Sequence, residues 1–317
     1  MSRFGYFWNS ELSQRETGVI CPEKPIRNKV LEPSQVLPDS GLGDCSRTFT
    51  LRNEDILYPV HDTDYIRKVR ESQKLGIRYL DSGETIAGRD VFPQSLLSAS
   101  AGPEALDRIM TGELQTAFCA VRPPGHHANR YRALGFCVFN NIAIAAEYAR
   151  TQYQIKKILI VDWDIHPGNG TQEIFWNDDG VFYLSFHQSD LFEEAGKVSL
   201  KGDGKGLGFN RNVPIAPHTE AKDYLRFFRE ALNEVTTRFK PELLLISAGF
   251  DAHMNDPASS LLLTHQDFGI MTHIVLETCF NFTGGKTLSI LEGGYNPAFL
   301  KLCVQEHIKT LNAYANR

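Results

Sequence analysis

Apolar and polar positions alternate along this chain in two different periods. Short apolar runs at Thr116–Val121, Lys157–Asp164, Val181–His187, Glu242–Phe250 and Lys286–Tyr295 predict strands covered on both faces. Between them, apolar residues three and four apart predict helices over Asn141–Tyr153, Gly170–Trp176, Thr219–Phe239 and Thr264–Phe280. Asn140 or Asn141 suits the first of these as a cap, and Thr264 with Asp267 has capping-box spacing. The tail is read as helical from Pro297, placed where a first turn tolerates proline. In the first hundred residues, His61–Leu75 is read as a helix, whereas Leu37–Arg47 and Asp81–Asp90 are read as loops.

Strands alternating with helices predict an α/β fold built on a parallel sheet with helices on both faces. No Pro/Ser-rich linker, repeat or low-complexity tract divides the chain, so one domain over residues 1–317, with long loops, is expected. The glycine-rich Lys201–Gly208 lacks the spacing of a phosphate-binding loop and is read as a flexible loop.

Ligands of open α/β sheets bind at the carboxyl ends of the strands. Four inferred strands here run into RPPGHHAN, DWDIHPGNGT, SAGFDAH and LEGGYN. Because strand side chains alternate, Asp162, Asp164 and His166 share one face, with Trp163 and Ile165 on the other. Capping of loop N–H groups accounts for Asp162. A second buried carboxylate so close to it needs a counter-charge, which a divalent metal supplies at Asp164 and His166. Catalytic zinc sites typically use three protein ligands. Asp251 is the natural third, with His253 as an alternative. Zn²⁺ suits this set, and its oxygen content also admits Fe²⁺ or Mn²⁺.

The tandem His126–His127 offers a general base with an acid or electrostatic helper, and Asp162 and Asn169 are candidates to orient the two rings. Tyr295, behind two glycines, is a candidate hydrogen-bond donor to an oxyanion.

Composition narrows the function without selecting it. The formal charge of −5 and the lack of Lys/Arg runs argue against a nucleic-acid partner. No apolar run is long enough to span a bilayer, and the N-terminal segment lacks the layout of a signal peptide. The six cysteines lack CxxC spacing and suit reduced, buried thiols. A cytoplasmic enzyme is expected.

RPPGHHA, GFCVFNN, DWDIHPGNGT, SAGFDAH followed by DP, and LEGGYN resemble, in order, the signature blocks of the zinc-dependent histone deacetylase and acetylpolyamine amidohydrolase superfamily. The resemblance runs from about residue 20 and is similar to the class II-like and bacterial-type deacetylases. It implies an arginase-like domain with a central parallel sheet of about eight strands, and hydrolysis of the acetyl-lysine amide. It implies Asp164, His166 and Asp251 as zinc ligands, and His127 as general base and acid. It further implies His126 as the electrostatic partner backed by Asp162, and Tyr295 as the oxyanion donor. Phe136 and Phe192 match the aromatic walls of the substrate channel, with Gly135, Gly294 and Ala258 beside them, and Glu84 matches an acidic rim residue. Structural K⁺ is implied at backbone carbonyls near Asp162, Asp164, His166, Ser185 and Phe186.

Several positions depart from the family pattern. Cys21 and Pro167 stand where histidine is frequent, and Asn169 where some relatives carry Asp, which leaves His127 a neutral partner. The loop reads FEEAG, bringing Glu193 and Glu194 near the rim, and Ala258 replaces the acidic gatekeeper of polyamine-selective relatives. The expected substrate is therefore an acetylated protein or peptide lysine, with small acetylated amines as the rival. A ureohydrolase would need a binuclear manganese site, and a non-catalytic acetyl-lysine-binding module would tolerate loss of Tyr295 or a ligand. One ligand set is read in the sequence, and none of these residues is missing.

Overall fold

The five predicted runs become the middle of one sheet. In this computed structural model, which describes residues 2–18, 20–192 and 194–317, the strands are β1 (Phe4–Phe7), β2 (Ser46–Arg47), β3 (Thr116–Cys119), β4 (Ile158–Asp162), β5 (Val181–Gln188), β6 (Asn210–Ile215), β7 (Leu243–Ala248) and β8 (Thr287–Leu291). All pairings are parallel, in the order β2-β1-β3-β8-β7-β4-β5-β6. The expected eight-stranded parallel architecture is what the chain adopts.

Two apolar layers flank the sheet. Leu159, Val161, Trp163 and Ile165 face one core, shared with Phe228 of the helix Ala221–Phe239, Phe268 of His265–Thr283 and Ile308 of Pro297–Ala315. Ile158 and Ile160 face the other, against Leu106 of the helix Val91–Met110 and Ile142 of Asn141–Tyr153. Asp162 continues the parity of Ile158 and Ile160, so this second face is the one that turns polar at the strand end. The capping box at Thr264 and Asp267 forms, and Asn140 caps Asn141–Tyr153 through the Ala143 N–H (3.0 Å).

The sequence pattern passes over three strands and one long helix. β1 and β2 are short, and β6, at the sheet edge, mixes Asn and Arg with its apolar residues. Val91–Met110 contains Gly102 and Pro103, which mask its helical period. The segment 201–208 holds only a turn of 3-10 helix, Gly204–Gly206. All six cysteines are free.

Two buried histidines give the fold a pH dependence. His61 Nδ1 lies 2.9 Å from the Asn129 carbonyl, and its Nε2 accepts the Asn140 N–H at 2.9 Å, so the ring is required in one neutral form. His307 lies between Thr272 Oγ1 (2.6 Å) and Ser289 Oγ (2.8 Å). Burial pushes each down to about 3. The unfolded chain protonates them near the ordinary histidine value of about 6.5, so it gains protons first as pH falls. The contribution of each ring to stability is therefore full above pH ~6.5 and falls below it, by about 1.4 kcal/mol per pH unit. Urea midpoints should drop more steeply from pH 6.5 to 4.5 in the wild type than in a His307→Gln variant measured alongside it, a comparison in which the other titrating groups cancel. Equal slopes would contradict the neutral buried ring.

Candidate metal and catalytic centre

β3, β8, β7 and β4 are neighbours at the centre of the sheet, so the four polar strand ends converge on one crevice. Asp164 and His166 follow β4, and Asp251 follows β7. One ligand atom from each lies within 4.8 Å of the others. His166 Nδ1 is 3.0 Å from Asp164 Oδ1 and 3.4 Å from Asp251 Oδ2. Asp164 Oδ2 accepts the Gly293 N–H at 2.8 Å, and Asp251 Oδ1 accepts the Ile165 N–H at 3.0 Å. Asp251 Oδ2 is buried and has no hydrogen-bond partner among the described residues. A buried carboxylate oxygen without a partner is costly unless a cation meets it. Burial and the Asp164 charge push Asp251 up to about 7, whereas His126 and His166 hold Asp164 below the usual range against its own burial. This donor set of two carboxylates and an imidazole fits a dication such as Zn²⁺.

The carboxylates sit where backbone comes unusually close. A Cβ on Gly249 would lie 2.3 Å from Asp164 Oδ2, and one on Gly293 would lie 2.1 Å from Asp251 Oδ2. The small residues before Asp251 and Tyr295 therefore leave room for the acidic groups.

His126 and His127 lie beside this set, 4.1 Å apart between ring centroids. His126 Nδ1 is 3.0 Å from Asp162 Oδ2, which also accepts the Tyr183 hydroxyl at 2.9 Å. Burial disfavours charge on His126, but Asp164 and Asp162 outweigh it and raise its pKa to about 10. His127 Nδ1 is 2.7 Å from Asn169 Oδ1. An amide oxygen only accepts, so Nδ1 carries the proton and Nε2 keeps its lone pair. Burial and the neighbouring His126 and His166 hold His127 well below the ordinary histidine value. The two adjacent imidazoles are thus pushed in opposite directions, the pattern that separates acid and base roles.

Tyr295 is held from its backbone. Asp256 Oδ2 accepts the N–H groups of Tyr295 (2.6 Å) and Asn296 (3.0 Å). The buried Arg27 guanidinium stacks 5.0 Å from the Tyr295 ring centroid and donates to the Gly294 carbonyl at 2.6 Å and to that of Glu292. Glu23, paired with both Arg27 (3.3 Å) and Arg122 (2.7 Å), completes this buried cluster. Burial and Asp251 raise the Tyr295 phenol well above its ordinary value, so it stays protonated.

Above these groups opens a channel of about 290 Å³, lined by Pro22, Glu84, His127, Gly135, Phe136, His166, Phe192, Pro257, Ala258 and Tyr295. Phe192 stacks on His127 at 5.1 Å, and Phe136 meets Tyr295 edge-on at 5.9 Å. Both phenylalanines hold left-handed backbone, φ 69° at Phe136 and φ 50° at Phe192. Such strain in a bulky residue persists only where surrounding contacts enforce it. Thr85 Oγ1 accepts the Phe136 N–H (3.1 Å). The Phe192 loop is tied down at the Ala195 carbonyl by Gln172 (3.1 Å) and at the Gly196 carbonyl by His187 (3.1 Å).

The structure brings together His126, His127, Asp162, Asn169, Asp164, His166, Asp251, Tyr295, Phe136, Phe192, Gly135, Glu84 and Ala258. Gly294 is buried one residue before Tyr295, at φ 119°. Asp162 and Ser185 are paired across β4 and β5, so the positions named for potassium lie on neighbouring strands and just past the end of β4. His253 is apart from the donor set: its Nδ1 accepts the Asn255 N–H at 3.1 Å, and its ring stacks on Phe299 at 4.5 Å. Cys21 lies outside the channel lining, and the Pro167 carbonyl accepts the Asn169 N–H at 2.8 Å. Glu194 is exposed and paired with Lys197 (2.6 Å), while Glu193 lies outside the described residues. A second group, His126, Cys137 and Glu292, also has metal-binding proximity. The Glu292 oxygens already accept from Gly125 N (2.7 Å), His126 N (3.1 Å) and Ser247 Oγ (3.0 Å), so this group is satisfied without an ion. Arg27, Asp256, Glu292, Gln172 and His187 escaped the sequence reading. Glu292 lies inside a block that carries the family resemblance, but its contacts with Arg27 and Gly125 span more than 160 residues.

A model of the histone deacetylase domain matches residues 22–311. The chain belongs to that family. It is 35% identical over 298 residues to a probable deacetylase of Archaeoglobus fulgidus, covering 92% of this chain and 81% of that protein. The histone deacetylase-like amidohydrolase of Pseudomonas aeruginosa is 34% identical, over 79% of this chain and 66% of its own length. Human polyamine deacetylase HDAC10 is 37% identical over 82% of this chain, which spans only 40% of that longer protein. The crystal structure of the HDA15 HD domain superposes with a TM-score of 0.90 at 32% identity, covering 99% of this chain and 90% of the other. This histone deacetylase-family chain therefore has the fold of a deacetylase catalytic domain. No helix among its described residues is long and apolar enough to cross a membrane.

Proposed function

We propose that this protein is a metal-dependent lysine deacetylase, hydrolysing the amide of N-acetyl-lysine side chains in proteins or peptides. The observation that carries the reading is the orphaned Asp251 Oδ2, facing His166 and Asp164 beneath a channel walled by two phenylalanines. Asp164, His166 and Asp251 would hold Zn²⁺, with Fe²⁺ or Mn²⁺ as chemically suitable substitutes. The ion would polarise the amide carbonyl and acidify a water.

The chain's own groups do the rest. His127 Nε2, bare because Nδ1 carries the ring proton and donates it in a hydrogen bond to Asn169 Oδ1, accepts a proton from the attacking water. Tyr295 donates its O–H to the oxyanion that develops on the carbonyl oxygen. The leaving amine takes its proton from a histidine of the pair, with His126 held in place by Asp162. A cation on Asp164 cancels the largest of the influences that raise His126, leaving Asp162 as its partner. Phe136 and Phe192 enclose the lysine methylenes and exclude water around the reacting amide. The backbone at Asp162, Asp164, His166, Ser185 and Phe186 is proposed to hold a structural K⁺, and a cytoplasmic location is proposed on the sequence alone.

Deacetylation of small acetylated amines is the second reading. It is favoured by the likeness to a polyamine deacetylase and by exposed Glu84 at the channel mouth, a charge that suits a cationic chain. A panel of acyl-lysine peptides and acetylated polyamines, run with and without chelator, separates the two. Peptide turnover abolished by chelator is the expected result. Turnover restricted to polyamines would replace the lysine reading, and activity unaffected by chelator would remove the metal mechanism.

A further inference from the structure

Beside the catalytic channel lies a second cavity, of about 600 Å³, that shares Pro22, Glu84 and Phe136 with it. These three residues line both cavities, and the second is further lined by Arg78, Tyr79 and Ile86. All but Pro22 and Phe136 of these belong to a small hairpin. Tyr79 bridges Ile86 in antiparallel fashion, Leu80 N–H donates to the Thr85 carbonyl (2.8 Å), and Ala87 N–H donates to that of Arg78 (2.9 Å). At its tip, Asp81 Oδ1 collects the N–H groups of Gly83 (3.0 Å), Glu84 (2.8 Å) and Thr85 (2.8 Å). Thr85 Oγ1 donates to Asp81 Oδ2 at 2.5 Å and accepts the Phe136 N–H at 3.1 Å. The hairpin is thereby bonded directly to an aromatic wall of the channel. It is pre-organised before any ligand arrives, which lowers the entropy lost on binding.

The charges on this platform have no internal use. Arg78 is exposed, leans over the Tyr79 ring at 5.4 Å and pairs with no carboxylate among the described residues. Glu84, which lines both cavities, is likewise exposed and makes no ion pair among the described residues. A side chain anchored in the channel leaves its main chain outside it, near the residues the two cavities share, and an extended chain advances about 3.3 Å per residue. Residues on one flank of the acyl-lysine can therefore reach the second cavity, where apolar surface and a lone guanidinium await them.

We propose that the hairpin 78–87 is a substrate-reading platform that accepts the residues on one flank of the acyl-lysine, with Arg78 selecting an acidic side chain there. The assignment rests on the acyl-lysine reading of the site. Guanidinium and carboxylate pair well in geometry, but an exposed pair contributes modestly. Its effect falls on kcat/KM through binding, with kcat little changed, because the contact is remote from the reacting amide.

The test uses acetyl-lysine peptides carrying Glu, Ala or Lys at each of three positions on either side, and a minimal N-acetyl-lysine amide with no flanking residues. The wild-type protein should prefer Glu over Lys by about three- to fivefold at one or two positions of a single flank. Arg78→Glu should invert that preference, Arg78→Lys should retain its direction, and both should process the minimal amide at the wild-type rate. Equal turnover of all peptides, or an Arg78→Glu protein with wild-type preferences, overturns the platform and leaves the deacetylase reading standing. An inert minimal amide and inert peptides, alongside active acetylpolyamines, would instead overturn the lysine reading and this proposal with it.

Discussion

Tyr295→Phe is expected to lower kcat about 10²- to 10³-fold, with KM changed less than about threefold and bound metal unchanged. The contacts that hold this residue are to its backbone and its ring. Asp256 bonds the N–H groups of Tyr295 and Asn296, Arg27 stacks on the ring, and Phe136 meets the ring edge. Phenylalanine preserves all of these, so the substitution removes the O–H alone. The phenol is raised above its ordinary value by burial and by Asp251, which keeps it a donor throughout the neutral range. A preorganised donor aimed at a developing oxyanion contributes about 3 kcal/mol to the barrier and little to ground-state binding. A loss smaller than tenfold would assign the oxyanion contact to another group.

Asp251→Asn should weaken metal binding by more than about a hundredfold, the upper end of what even the outer partners of ligands contribute, and bring activity to background. The amide oxygen can still accept the Ile165 N–H, so the loop after β7 should keep its shape. On addition of Zn²⁺ to the metal-free proteins at pH 8, the wild type should gain stability and the variant should not. An equal Zn²⁺ shift in both proteins would move the ion elsewhere.

Periodicity alone predicted the five central strands because residues buried on both faces leave an uninterrupted apolar signature. It passed over β1, β2 and β6, which are short or mixed in polarity, and over Val91–Met110, whose glycine and proline interrupt the pattern. At the centre, Asp162, Asp164 and His166 were recognisable because strand parity fixes their common face. Asp251, the tandem histidines and Tyr295 required the further premise that four strand ends meet. That premise holds because β3, β8, β7 and β4 are adjacent in the sheet.

The sequence by itself determined the α/β class, the parity of the polar strand ends and the family to which the chain belongs. It also carried the neutral partner of His127, since Asn169 cannot be charged. Tertiary structure alone decided which carboxylate oxygen is left bare, how Arg27 and Asp256 brace Tyr295, and that the hairpin 78–87 adjoins the channel. Those features depend on groups far apart in the chain, brought within a few ångströms by strand order and loop closure. Neither composition nor local period encodes such distances. Burial then turns them into energy, because a charge without a partner is tolerable in water and costly inside the protein.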